Sequence, residues 1–159
     1  MMNQKREAAV WERVMAASAE CPAPVKQQRQ AGLQAQQVME LLEQELADAC
    51  TYRMLAARMG KQGRPLLRLA QEEQGHSRKL EAIYYLLTGQ RASPQRPKAP
   101  CVACTNEELR RRYQEEVASA ARYHELAEQA GSFAPELHCM GQEEERHSCV
   151  ILQLLQRCL

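Results

Sequence analysis

The stretch Gln71–Ser77, QEEQGHS, returns as Gln142–Ser148, QEEERHS, 71 residues further along the chain. The same offset pairs Glu45 with Glu116, Tyr52 with Tyr123, Glu73 with Glu144, and His76 with His147. It also pairs Leu55 with Leu126, Gly60 with Gly131 and Leu66 with Leu137, all in one register without a gap. Self-similarity this regular marks an internal duplication and limits the chain to folds built from two like halves.

Each half reads as a helical hairpin. In the first, apolar residues recur at helical spacing from about Val25 to Met59, through Leu33, Val38, Leu41, Leu42, Leu46, Ala49, Met54 and Leu55. Gly60 is expected to close this helix in a left-handed conformation. A second helix starts near Pro65, a residue suited to a first turn, and runs to Leu87 before Thr88-Gly89. Residues 89–104, GQRASPQRPKAPCVAC, carry three prolines and no period, so they read as a crossover along the helices. Thr105 with Glu108 suggests a capping box for a third helix that runs to Ala130 and stops at Gly131. A fourth begins near Pro135. The expected fold class is all-α: a four-helix bundle of two hairpins and one long crossover, the ferritin-like form. Residues 1–26 form a separate expectation, a short amphipathic helix with Val10, Trp11, Val14 and Met15 on one face, closed by Cys21-Pro22-Ala23-Pro24. The bundle would then occupy residues 27–159, with Trp11 anchoring the helix on it or on a neighbouring subunit.

Composition narrows the setting. Only one Phe, one Trp and five Tyr accompany abundant Ala, Leu, Gln, Glu and Arg, which favours helices over strands. A net charge of +1 gives no electrostatic reason to expect nucleic acid or an anionic membrane as partner. Seven cysteines are an odd set, several within apolar helical patterns, so a reducing cytoplasmic setting is expected rather than a disulfide framework. The N-terminal stretch is broken by charges and resembles no signal peptide, and no apolar run reaches spanning length.

The chemistry lies in the repeated Glu-x-x-His. Residues three apart on a helix sit about 60° apart around the axis and one turn along, so Glu73 with His76, and Glu144 with His147, can each address one point. Glu45 and Glu116, at matching depth on the other helix of each hairpin, complete a set of four carboxylates and two imidazoles. Burying four carboxylates unpaired would cost on the order of several kcal/mol each. Two divalent cations would cancel those charges, and carboxylate with imidazole suits iron or manganese, whereas the lack of cysteine argues against a zinc–thiolate site. Tyr52 and Tyr123, two turns beyond Glu45 and Glu116, are expected to hydrogen-bond toward the site. Glu72 and Glu143 lie about 100° round from their neighbours and are expected on the surface, as is Glu145.

The order Glu-x6-Tyr, Glu-x-x-His, given twice, resembles the ferritin-like di-iron superfamily, especially the erythrin domain of rubrerythrins and the ferroxidase centre of bacterioferritin, over about residues 27–159. The resemblance implies two iron ions cycling between Fe2+ and Fe3+, with manganese an open alternative, and Glu73 and Glu144 as bridging or terminal ligands beside His76 and His147. It implies a non-haem oxidoreductase in a homodimer, reducing hydrogen peroxide or dioxygen. The alternatives are a ferroxidase or iron-storage protein acting on ferrous iron, and a di-manganese catalase-like protein. No pair of Cys-x-x-Cys motifs follows the fourth helix, so a separate electron donor such as a rubredoxin-like protein is expected. Gln74 stands where bacterioferritin has its haem-binding methionine, so no haem is expected.

Rubrerythrins carry an extra glutamate one turn after the third-helix ligand, where this chain has Ser119. Asp48, its counterpart in the first half and the only aspartate, has three open readings: a partner for a ligand histidine, a seventh carboxylate, or a helix-surface residue. Cys101-Val-Ala-Cys104 reads as a redox pair, part of a metal site, or two unrelated thiols. His124 and His138 have no histidine counterparts and are expected in packing or at the surface.

Overall fold

The computed structural model describes residues 32–98 and 102–157; the expected N-terminal helix around Trp11 and its boundary near residue 26 lie outside them. The described residues form four long helices and no strand: α1 (Ala35–Met59), α2 (Arg64–Thr88), α3 (Thr105–Ala127) and α4 (Ala134–Arg157). None of these helices is long and apolar enough to cross a membrane.

A single 3-10 turn, Gly60–Gly63, joins α1 to α2, and another, Gly131–Phe133, leads from α3 into α4. Connections this short reverse the chain, so each pair packs as an antiparallel hairpin. Gly60 and Gly131, one repeat apart, hold φ of 57° and 58°. Gly60 has ψ −125°, outside the left-handed helical region expected for it and in a conformation that a side chain resists. At Gly63 the constraint is space, because a Cβ there would stand 2.5 Å from the Ala56 carbonyl oxygen.

Several ends differ from the sequence reading. Residues 32–34 are not helical and α1 starts at Ala35, where the Gln34 backbone N–H donates to the Gln37 side chain (2.9 Å). Helix α3 stops at Ala127 rather than Ala130. The Thr105–Glu108 capping box does not form: Cys104 is the cap residue, and the buried Glu108 carboxylate accepts from Arg111 (2.6 and 3.0 Å) instead. A charged partner on the next turn outcompetes a backbone N–H for that carboxylate. At α2, Pro65 occupies the first turn and Gly89, with φ 71°, caps the end as a left-handed residue whose N–H donates to the Tyr85 carbonyl.

The described residues between α2 and α3, 89–98 and 102–104, contact α1 at two places. The Gln95 N–H donates to Glu43 (2.9 Å), and Arg58 donates to the Val102 carbonyl (2.6 Å). Those two α1 contacts are fifteen residues apart, about 22 Å along a helix. Ala92 packs on the apolar cluster at one end and Val102 is buried in the cluster at the other.

Both clusters draw on all four helices. One holds Val38, Leu41 and Leu42 from α1, Leu80 and Ile83 from α2, Tyr123 and Leu126 from α3, and Leu137 and Met140 from α4. The other holds Tyr52 and Leu55, Leu66 and Leu69, Leu109, and Ile151 and Leu154. Glu45, Glu73, Glu116 and Glu144 fall between the clusters in sequence on every helix, and all four are buried. The repeat thus places one polar layer between two apolar ones.

The glycines give a test of this packing. Gly63→Ala should destabilise the protein by about 1–3 kcal/mol, because its methyl meets backbone. Gly75→Ala, whose methyl meets nothing within 4 Å, should stabilise α2 by up to about 1 kcal/mol. Urea unfolding of the two variants should show midpoints moving in opposite directions.

Candidate metal centre

Six side chains from the four helices reach the polar layer: Glu45 from α1, Glu73 and His76 from α2, Glu116 from α3, and Glu144 and His147 from α4. All six residues expected from the repeat come together there. They form two groups, Glu45–Glu73–His76–Glu144 and Glu73–Glu116–Glu144–His147, in each of which the donor atoms lie within 4.8 Å of one another. Glu73 and Glu144 belong to both groups.

The contacts obey the repeat. His76 Nδ1 lies 2.9 Å from Glu144, 3.1 Å from Glu45 and 3.2 Å from Glu73. His147 Nδ1 lies 3.0 Å from Glu73, 3.4 Å from Glu116 and 3.7 Å from Glu144. The two rings stack with centroids 5.7 Å apart. Tyr52 donates its hydroxyl proton to Glu116, and Tyr123 donates to Glu45 (2.5 Å), so each tyrosine orients the carboxylate of the opposite hairpin.

Glu72 lies at the surface as expected and Glu143 is partly exposed, but both also reach the histidines, which the sequence reading did not anticipate. His76 Nε2–H donates to Glu143 and His147 Nε2–H donates to Glu72, each at 2.7 Å. The 100° offset directs them away from the centre of their own helix's ligand face, yet it aims them at the imidazole of the neighbouring helix. A carboxylate on Nε2 fixes the ring and leaves Nδ1 to face the cluster. Their exact recurrence at the 71-residue offset was the available signal.

Asp48 is also corrected. It is buried, pairs with Arg112 and accepts from Gln44 (2.8 Å), so it neither holds a histidine nor lies on the helix surface. Arg112, which no motif indicated, is buried as well and pairs further with Glu115. The counterparts of this ion pair one repeat away are Ser119 and Leu41, so the halves differ here. His124 and His138 contact each other, Nδ1 to Nδ1 at 3.1 Å, and belong to neither group. Cys104 is exposed, and its proposed companion Cys101 lies outside the described residues.

Electrostatics in the bare protein divide the carboxylates into two kinds. Burial raises Glu45 well above its ordinary value and pushes Glu116 up to about 9, outweighing the pull of the neighbouring imidazoles. Burial acts likewise on Glu73 and Glu144, but the two imidazoles close beside them more than offset it, and both end lowered. For His76, desolvation opposes the charge, yet Glu144, Glu45 and Glu73 push it up to about 12; His147 is raised for the same reason by Glu116, Glu144 and Glu73. At neutral pH Glu116 therefore carries its proton and His76 is an imidazolium ion.

Protons do not complete the layer. Both oxygens of Glu73, one oxygen each of Glu116 and Glu144, and Nδ1 of His147 are buried without a hydrogen-bond partner. They lie close to one another but are not aligned to bond, as expected of donors that converge on shared points. Oxygen and imidazole donors of this kind fit hard or borderline divalent cations, and the buried Glu and His groups could hold metal.

Comparison with family models, with curated proteins and with solved structures gives no match for this chain.

The protonation pattern has a stability consequence. Glu116 keeps its proton up to about 9 when folded and releases it near 4.5 when unfolded; His76 does so up to about 12 against 6.5. Over pH 6.5–9 the folded form binds more protons, so stability falls as pH rises. The metal-free protein should show a Tm that declines through that window, and a flat or rising Tm would contradict the assignment.

Proposed function

We propose that the four helices form a ferritin-like four-helix bundle whose Glu45, Glu73, His76, Glu116, Glu144 and His147 hold two iron ions. The protein is then a rubrerythrin-like, non-haem oxidoreductase that reduces hydrogen peroxide or dioxygen with electrons from a separate donor. One observation carries the reading: the two donor groups share Glu73 and Glu144. Shared carboxylates are what a bridged pair of ions requires, and each ion keeps one further carboxylate and one imidazole of its own.

Bound iron would supply the two electrons for reducing a small oxidant and Lewis-acid contacts to its oxygens. The chain supplies the rest. Glu73 and Glu144 draw both halves onto one centre, and Tyr52 and Tyr123 hold the terminal carboxylates Glu116 and Glu45 in position. Glu143 and Glu72 keep the Nε2 protons of His76 and His147, directing Nδ1 inward. The apolar clusters at either end, each buried, limit water at the layer.

A second reading, ferroxidase activity of the ferritin type, is favoured by the surroundings of Asp48. Arg112 and Gln44 occupy its carboxylate and Ser119 has none, so no seventh carboxylate is free to exchange with a histidine as the extra glutamate of rubrerythrin does.

Anaerobic reconstitution followed by metal analysis tests the site. Wild type should bind two ions per chain, Glu116→Ala about one, and Glu73→Ala less than one, because Glu73 serves both groups. At pH 7 loading should release protons, because Glu116 is raised to about 9 and His76 to about 12 in the metal-free protein, and a pH indicator measures the release. Less than one ion per wild-type chain would end the binuclear reading. Mixing the diferrous protein with hydrogen peroxide or dioxygen, and with either an electron donor or added ferrous iron, then separates the activities: turnover with an electron donor and no added iron favours the reductase, and turnover that consumes added ferrous iron favours the ferroxidase.

A further inference from the structure

The two histidines have equivalent surroundings in the layer but different surroundings outside it. A cleft of about 250 Å³ between α2 and α4 reaches His147 from the surface, and Arg68, Glu72, Arg146 and Val150 line it. Glu72, the carboxylate on His147 Nε2, has a half-exposed side chain (50%). Among the described residues it has no other hydrogen-bond or ion-pair partner than His147.

The repeat provides an internal control. On the His76 side the residues in place of Arg68, Arg146 and Val150 are Cys139, Gly75 and Lys79. There the Lys79 ammonium (3.3 Å), the Cys139 thiol (3.9 Å) and Arg146 (3.5 Å) all approach Glu143, whose side chain is only 23% exposed. One carboxylate is therefore tied down from three directions and the other has room to swing. Val150 is decisive in this comparison, since its short side chain leaves open the space into which Lys79 extends on the other side.

Charge at the open side selects what can enter. Arg68 and Arg146 both line this side beside the single carboxylate of Glu72; Arg146 is shared with Glu143 (3.5 Å), whereas Arg68 has no ion-pair partner among the described residues and leaves the cleft with an excess of positive charge. A cleft biased this way lowers the local concentration of small cations and raises that of small anions, leaving uncharged molecules unaffected.

We propose that the cleft at Arg68, Glu72, Arg146 and Val150 is the entrance to the metal centre, and that it admits small uncharged or anionic molecules in preference to free metal cations. This rests on the binuclear reading and sharpens it, because peroxide or dioxygen suits such an entrance and a stream of ferrous ions does not. Glu72 is the side chain that moves aside for entry, so the two ion positions are reached unequally, with the one beside His147 first.

Azide, a small anion, tests the entrance with and without metal. In the metal-free full-length protein, azide should shift the NMR signals of Arg68, Arg146 and the His147 ring and leave those of Lys79 and the His76 ring in place. Equal shifts on both sides, or none, would overturn the entrance. In protein verified to hold two ferric ions, the rate at which azide reaches the centre should fall roughly tenfold in Val150→Trp and stay within about twofold of wild type in Lys79→Trp. The exposed Arg68→Glu, which leaves the Arg146 contact to Glu143 in place, should slow azide several-fold and weaken the salt dependence of its arrival. An unchanged rate in both Val150→Trp and Arg68→Glu, or an equal loss in Lys79→Trp, would refute the proposal. Failure to load two ions would count against the binuclear reading, and the metal-free measurement would still decide the entrance.

Discussion

Glu45, Glu73, Glu116 and Glu144 face one another in the middle of the helices, where ionised carboxylates lose their water and repel. Effective costs of several kcal/mol for each such ion rival the whole net stability of a domain this size. Every other polar residue of the layer answers that constraint. Neighbouring carboxylates raise both histidines, burial raises Glu45 and Glu116, and the tyrosines donate to those two carboxylates. Even so, oxygens of Glu73, Glu116 and Glu144 remain without a hydrogen-bond partner, so the protons offset the charge without satisfying the donors. The layer is costly for the fold on its own, which suggests that the residues persist for something they bind.

The helical hairpins were legible because their apolar period is long and their turns are short, with Gly60 and Gly131 marking both turns at one offset. The six donors were legible for a related reason: residues at one depth on four helices must share a spacing, and the repeat displayed that spacing twice. What escaped was set by neighbouring helices. Angular reasoning on an isolated helix sends Glu72 and Glu143 toward solvent, but the imidazole of an adjacent helix occupies that direction. The Asp48–Arg112 pair joins residues 64 positions apart, and nothing near either in sequence signals the other. The capping box at Thr105 failed for a reason inside its own helix, since Glu108 is held by Arg111 one turn on.

The two hairpins are mutually dependent at the layer. Glu45, Glu73 and His76 come from the first and need Glu144 from the second, while Glu116, Glu144 and His147 need Glu73 in return. Any ion held there would tie the hairpins together and stabilise their packing by an amount that grows with the logarithm of the ratio of its concentration to Kd.

Every contact made twice under the 71-residue offset is a contact that two identical hairpins could make as a symmetric pair, each residue meeting its opposite and being met in turn. Such a pair would be bound to identity: whatever stood on one side of the layer would stand on the other. Two halves carried on one chain are released from that rule. Asp48 and Ser119, Arg112 and Leu41, and Lys79 and Val150 are places where the release was used. Covalent continuity is what permits a centre of symmetric donors to have one sealed flank and one open flank, and so a direction.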